Sequence, residues 1–244
     1  MQLKIYKDYS ALSVHAATEI IELIKSKPDA VLSLAAGDTP RLTYSLMAKK
    51  AIDEKVDFTR CTFIGLDEWV GIPPQNEGSC IFFLQTNIFT PLNISSRQIH
   101  LFDAMSDDPG QECRAMDKII LEKSGIDLML VGVGMNGHIG FNEPGVAIDN
   151  YSHVIDLDDA TQSVGQKYFR KATTLKKGIT LGLNHLLQSR KVIMVANGIK
   201  KAEVIRKALE EEITTNMPAS IIRTHSMGIV MIDEEAASLL KKEK

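Results

Sequence analysis

Asp127-Leu128-Met129-Leu130-Val131-Gly132-Val133 is a nearly unbroken apolar run, and Gly134-Met135-Asn136-Gly137-His138-Ile139-Gly140-Phe141-Asn142-Glu143-Pro144-Gly145 follows it at once. A run with no alternation of apolar and polar residues suits a strand covered on both faces, as in parallel sheets. The pattern recurs outward from this point. Leu3–Tyr6, Ala30–Leu34, Thr62–Leu66, Val154–Leu157, Val192–Ala196 and Gly228–Ile232 read as further strands. Between them, helices are predicted over Tyr9–Ser26, Arg41–Ile52, Ile81–Phe89, Gly110–Ser124, Lys200–Glu210 and Glu234–Lys241. This alternation predicts an α/β fold: a doubly wound, mostly parallel sheet flanked by helices. No repeat, low-complexity tract or Pro/Gly linker divides the chain, so residues 1–244 are expected to form a single domain. Residues 145–178, rich in Asp, Thr, Gln and Lys, are the least regular stretch and are expected to form a cover over a site.

Composition narrows the function classes. A chain of 244 residues is long enough to bury a full core without disulfides or metals. Its 28 Lys and Arg against 31 Asp and Glu leave a net charge of −3. That argues against a nucleic-acid binder, whose affinity comes from many basic contacts to phosphates. It leaves room for a local basic pocket around one small anion. The cysteines, Cys61, Cys80 and Cys113, are odd in number and widely spaced, and read as buried thiols of a reducing compartment. The first residues lack the apolar stretch of a signal peptide, and no apolar run approaches the ~18 residues of a membrane span. A cytoplasmic protein with no membrane contact is expected.

In open α/β sheets, ligands bind beyond the carboxyl ends of the strands. Four predicted strands end in polar or glycine-rich segments: Ala35-Ala36-Gly37-Asp38-Thr39-Pro40, Asp67-Glu68-Trp69-Val70-Gly71, the loop 134–145, and Asn197-Gly198-Ile199-Lys200-Lys201. Their coincidence points to one site. The turn at 37–40 leads into a helix, whose free N–H groups suit a phosphate; alternatively, Asp38 or Thr39 caps that helix with Pro40 at its first position. Asp67, beside Trp69, could be partly desolvated and act as a general base, or else be half of a solvated acidic pair with Glu68. Asn136, His138 and Glu143 lie close enough for one loop to turn all three inward, and a histidine held by a carboxylate is a proton shuttle. The sequence lacks a Walker ending, a dinucleotide fingerprint, H-E-x-x-H and G-x-S-x-G. The remaining histidines read as structural or surface residues, with His225 the least settled. Either Lys200 or Lys201 could supply a charge for phosphate, or both could lie on a helix surface.

Taken together, these segments resemble the glucosamine-6-phosphate deaminase/isomerase family. The matching pieces are Leu34–Pro40, Leu66–Gly71, Gly134–Gly145 and Lys177-Gly178-Ile179-Thr180-Leu181-Gly182, in the same order along nearly the whole chain. The run G-H-I-G-F-N-E-P at 137–144 separates this group from the related 6-phosphogluconolactonases. Ser26-Lys27-Pro28-Asp29-Ala30-Val31, Gly78-Ser79-Cys80 and Pro218-Ala219-Ser220 are closer to the galactosamine-6-phosphate isomerase branch. The resemblance implies a fold like that of ribose-5-phosphate isomerase and the CoA transferases. It places the enolisation base on Asp67 and the ring-opening group on Asn136, His138 and Glu143. It places the phosphate contacts on Ala36, Gly37, Asp38, Thr39 and Lys201, with Lys167 where the family usually has an arginine. Two positions depart from the pattern. Lys167 lacks an arginine's bidentate geometry. Asp38 replaces a small uncharged residue, so either its carboxylate points away from a bound phosphate or the ligand is unusual.

The implied reaction opens a hexosamine 6-phosphate, moves a proton from the amine-bearing carbon, and loses ammonia to water from the resulting ketimine. Galactosamine 6-phosphate would give tagatose 6-phosphate and glucosamine 6-phosphate would give fructose 6-phosphate. The expected classes are deaminase, isomerase and hydrolase in amino-sugar metabolism. No metal or cofactor is implied. The expected partners are a small sugar phosphate and, as an open alternative, a second copy of the chain. A lactonase-like hydrolase and a non-catalytic sugar-phosphate sensor are the competing readings.

Overall fold

The central strand of the computed structural model, which describes residues 1–241, is the one read first from sequence. In this strand, β6 (Leu128–Val131), Leu128 and Leu130 pack into one core cluster while Met129 and Val131 pack into another. Successive side chains of a strand point to opposite faces, so both faces of β6 are covered, which is why the run is continuously apolar. Around it, β1 (Gln2–Tyr6), β2 (Val31–Leu34), β3 (Thr62–Gly65), β5 (Ile99–His100), β9 (Val192–Ala196) and β10 (Gly228–Asp233) complete a seven-stranded sheet. The order is β1-β10-β9-β6-β2-β3-β5, and every pairing is parallel. One core layer packs α1 (Tyr9–Ser26) and α2 (Asp38–Asp53) on the sheet, and the opposite layer packs α4 (Pro109–Glu122) and α7 (Ala202–Glu210). The expected single-domain, doubly wound architecture is what forms. Residues 242–244 of the expected domain lie outside the described residues.

A second sheet was not expected. β4 (Asp67–Trp69), β8 (Lys177–Thr180) and β7 (His153–Asp156) form a small antiparallel sheet in the order β4-β8-β7. It includes the residues expected to follow a strand end at Asp67, and it gives the cover region more regularity than its composition suggests. Between β7 and β8 lie the short helix α5 (Asp159–Gly165) and a 3-10 turn at Gln166–Tyr168.

Other predicted elements shift. The helix expected at Arg41 starts at Asp38, and that expected at Ile81–Phe89 is α3 (Cys80–Leu84) continuing as a π-helical turn over Gln85–Phe89. A 3-10 turn at Ile199–Lys201 precedes α7. The helix α6 (Leu183–Gln188) and a 3-10 segment at Pro218–Thr224 were not anticipated. No helix forms over Glu234–Lys241. There the Asp233 carboxylate accepts from the N–H of Ala236 (2.8 Å) and of Gly198 (3.0 Å), tying the chain into turns against the end of β9. All three cysteines are buried and free. Among the described residues, no helix is long and apolar enough to cross a membrane.

Candidate active site

Beyond the carboxyl ends of β2, β6 and β9, under the cover, lies a cavity of about 530 Å³. Its lining includes Ala36, Gly37, Asp38, Thr39, Asp67, Asn136, His138, Lys167 and Lys201, so nine of the ten expected site residues face one space. The tenth, Glu143, is buried behind His138 and acts on the cavity only through its neighbours. A second cavity, around Cys113, Asp117 and His153, gathers none of them.

The turn at 37–40 owes its shape to Gly37. Its φ of 130° lies in the left-handed region, which a side chain would strain. Gly37 is also the N-cap residue of α2 and offers no side-chain cap. Neither Asp38 nor Thr39 caps the helix, and Pro40 is its third residue rather than its first. The capping role weighed from sequence is therefore not realised, and the N–H groups of the first turn remain available to an anion. Lys201 projects into the cavity, whereas Lys200 is exposed and does not line it. The Lys201 ammonium donates to the Val133 carbonyl at 2.6 Å. Burial, with the nearby charge of Lys167, lowers its pKa to about 8.

Asp67 and Glu68 alternate on β4 and so face opposite ways. Asp67 lines the cavity; Glu68 is 1% exposed and accepts from the N–H groups of Trp69, Cys80 and Ile81 and from the Ser79 hydroxyl, at 2.5–3.0 Å. Glu68 thereby pins the start of α3 to β4. Burial, then the Glu68 charge, raises the Asp67 carboxyl to about 7, with hydrogen bonding to Cys80 acting the other way. The pair is not the solvated couple that adjacent carboxylates usually form. It is one buried anchor and one cavity-facing carboxyl brought near neutrality.

The loop after β6 turns its polar groups inward as expected. His138 lies so close over Gly134 that a Cβ there would stand 2.4 Å from Nε2, so only glycine fits. Asn142 donates to the carbonyls of Ile139 (2.9 Å) and Leu181 (2.8 Å) and holds the loop onto the small sheet. Asn136 Nδ2 donates to Glu143 Oε2 at 2.7 Å, its Oδ1 accepts from the His138 N–H at 3.2 Å, and His138 Nδ1 stands 3.4 Å from Glu143 Oε2. Burial alone would raise Glu143; hydrogen bonds from His138, Thr161 and Asn136 and the His138 charge outweigh it and hold the carboxyl below its usual value. Among the described residues, no group of three or more His, Cys, Asp or Glu side chains is arranged to hold a metal ion.

Some lining residues were not anticipated. Thr161 of α5 places Oγ1 3.0 Å from His138 Nδ1. It sits in a polar stretch whose sequence signals only a cover. Tyr168 and Phe141 also line the cavity, with Phe141 packed on Trp69 at a centroid distance of 4.5 Å. His225 is structural: its Nε2 donates to the Ser189 carbonyl at 2.9 Å and its Nδ1 accepts from the Met227 N–H at 3.1 Å.

Comparison with known proteins agrees with this geometry. A family model described as glucosamine-6-phosphate isomerases/6-phosphogluconolactonase matches residues 8–231. A protein of Clostridium perfringens (strain 13 / Type A) named glucosamine-6-phosphate deaminase is 37% identical over 242 residues, covering 99% of this chain and all of that one. One of the same name from Thermoanaerobacter sp. (strain X514) is 34% identical over 244 residues, covering all of this chain and 96% of the other. A solved structure described as a monomeric glucosamine-6-phosphate deaminase superposes with a TM-score of 0.95 at 35% identity, covering 98% of this chain and 100% of its own. The 6-phosphogluconolactonase of Trypanosoma brucei superposes at 0.80 with 18% identity, a likeness of fold alone. These findings correct one expectation: the relatives at 34–37% identity are named deaminases, and nothing supports placing this chain among hydrolases, a class that enters only through the distant lactonases. Matched over almost its whole length by the family model and by relatives of equal length, the chain belongs to the glucosamine-6-phosphate isomerase/6-phosphogluconolactonase family.

Proposed function

We propose that this protein isomerises and deaminates a hexosamine 6-phosphate, releasing a ketose 6-phosphate and ammonia. The observation that carries this reading is the cavity-facing carboxyl of Asp67, raised to about 7, in a space it shares with Lys201 and with His138, behind which Glu143 is buried. The first turn of α2 and Lys201 take the phosphate, with Lys167 reaching over from the cover. His138, held by Asn136 and Glu143, moves a proton between the anomeric hydroxyl and the ring oxygen, so the pyranose opens to its aldehyde. Asp67 removes the proton from the amine-bearing carbon. The enolamine formed is reprotonated on the neighbouring carbon, and water adds to the resulting ketimine and displaces ammonia. The substrate's own carbonyl and amine serve as the electron sink.

For the epimer, the reading is galactosamine 6-phosphate, supported by the three sequence marks of that branch. Of these, only Gly78-Ser79-Cys80 lines the cavity, so this segment is where discrimination is sought. A buried partner for the epimeric hydroxyl would discriminate strongly, because the wrong epimer leaves a polar group unpaired. Measuring ammonia release with both epimers tests the proposal. Release from neither would overturn the deaminase reading, and a clear preference for glucosamine 6-phosphate, the substrate that names the relatives above, would overturn only the epimer. The three buried free thiols suit a reducing, cytoplasmic setting. Self-association is retained as a proposal for light scattering to decide; the solved relative at TM-score 0.95 is described as monomeric.

A further inference from the structure

We infer that Thr161, carried by the cover segment, is the positioning residue that orients His138 for ring opening. The inference rests on the deaminase reading above. The direct approach of His138 Nδ1 to Glu143 Oε2, 3.4 Å, is long for a charge-assisted hydrogen bond, whereas Thr161 Oγ1 lies 3.0 Å from the same nitrogen. Asn136 Nδ2 also points at that hydroxyl oxygen, at 3.5 Å. The Glu143 carboxylate can only accept, so it takes the Thr161 proton and leaves the hydroxyl oxygen to receive N–H groups from Asn136 and from His138 Nδ1. The hydroxyl therefore completes the path from imidazole to carboxylate. It selects the tautomer with the proton on Nδ1 and leaves Nε2, on the Gly134 side, with a lone pair for the sugar.

Thr161 is 5% exposed and belongs to α5 of the cover, not to the loop that carries the other three groups. At one end of the same short segment, the Asp158 N–H reaches Glu143 Oε1 at 3.4 Å. At the other end, Lys167 pairs with Asp38 of the phosphate turn at 2.8 Å. One stretch of ten residues, 158–167, thus touches both the ring-opening group and the phosphate site.

The test uses Thr161→Val, close in shape but without the hydroxyl, and Thr161→Ser, which restores it. Nitrogen-15 NMR of the ligand-free protein reads the His138 tautomer. The wild type and the serine variant should show a single Nδ1–H form, and the valine variant a mixture. In ammonia-release assays, Thr161→Val should lower kcat about tenfold, a part of the roughly 10²–10⁴-fold that acid–base catalysis contributes, with KM little changed. Thr161→Ser should recover most of the loss. The same tautomer and kcat in the valine variant as in the wild type would overturn the inference. If the wild type released no ammonia from either epimer, the deaminase reading would fall, while the tautomer measurement would still decide whether Thr161 orients His138.

Discussion

The Lys167 ammonium lies 2.8 Å from the Asp38 carboxylate, across the mouth of the phosphate turn. These are the two positions that depart from the pattern the chain otherwise resembles, and they turn out to be partners. Burial would raise the Asp38 carboxyl, but Lys167 and then Arg41 outweigh it and hold it below the usual range. Both side chains are about half exposed, so the pair adds only about 0–1 kcal/mol to stability. Its consequence falls on the ligand.

With Asp38 present, an incoming phosphate meets a negative charge and competes for Lys167. Asp38→Ser should therefore lower the KM for the sugar phosphate about threefold to tenfold, the order expected of one charge removed at a solvated site. The gain should shrink as salt is added, since exposed charges are screened. An unchanged or raised KM at low salt would mean that Asp38 holds Lys167 in place for the ligand.

Asp67 makes a prediction about pH. A general base works ionised, and burial together with the Glu68 charge sets its carboxyl at about 7. kcat/KM should therefore be lost as pH falls through about 7 and reach its plateau above it. Asp67→Asn should reduce proton abstraction by roughly 10²–10⁴-fold without unfolding the chain. Deuterium exchange at the amine-bearing carbon reads that step directly, and wild-type exchange in the variant would remove Asp67 from the mechanism.

The parallel sheet was legible because burial on both faces leaves a mark in each strand's own residues, as Leu128–Val131 shows. Helix α1 was legible end to end, from the Asp8 side chain capping Ala11 at 2.8 Å to the apolar face that includes Leu12, Ala16 and Ile20. Of the small sheet only β7 was legible, near the expected Val154–Leu157. The pairings of β4 with β8, Asp67 with Thr180 and Trp69 with Gly178, join segments more than a hundred residues apart, and β4 has three residues, too few for a period to show. In the site, Asp67, His138 and Lys201 stand out because each follows a strand end. Thr161 does not, since its role exists only once the cover is folded over His138. Strand position and resemblance single out Asp67 over Glu68 in the sequence, and the alternation of β4 gives the reason that Asp67 is the one to line the cavity.

Glu68 carries a stability prediction. Its four donors occupy both carboxylate oxygens. In Glu68→Gln the amide NH₂ would take the place of Oε2, where the Ser79 hydroxyl can turn to accept from it but the Ile81 N–H is left unpaired in a buried setting. At about 1–3 kcal/mol for an unsatisfied buried group, the loss should be about 1–3 kcal/mol in denaturant unfolding. Removing the charge also removes one of the causes of the raised Asp67 pKa, so the residual activity should extend to lower pH. A variant as stable as wild type would show that the start of α3 is not held by this carboxylate.

Lys201 sets the other limb of the pH profile. An ammonium holds phosphate only while protonated, and burial with the Lys167 charge brings this one down to about 8. Phosphate affinity should therefore be full below about 8 and fall as pH rises through it, because the free protein then loses the proton. The phosphate does not react, so its binding is shared by ground and transition states, and the change should appear in KM while kcat stays nearly level. Lys201→Ala should raise KM for the substrate and weaken inorganic phosphate in parallel, and should abolish the dependence above pH 8. Lys201→Arg separates charge from geometry, since its guanidinium stays protonated at every working pH but must find room beside the Val133 carbonyl, which Lys201 now meets at 2.6 Å. If it fits, KM should become flat across the alkaline range. A KM in Lys201→Ala equal to wild type for both ligands would return the phosphate to the first turn of α2 and Lys167 alone.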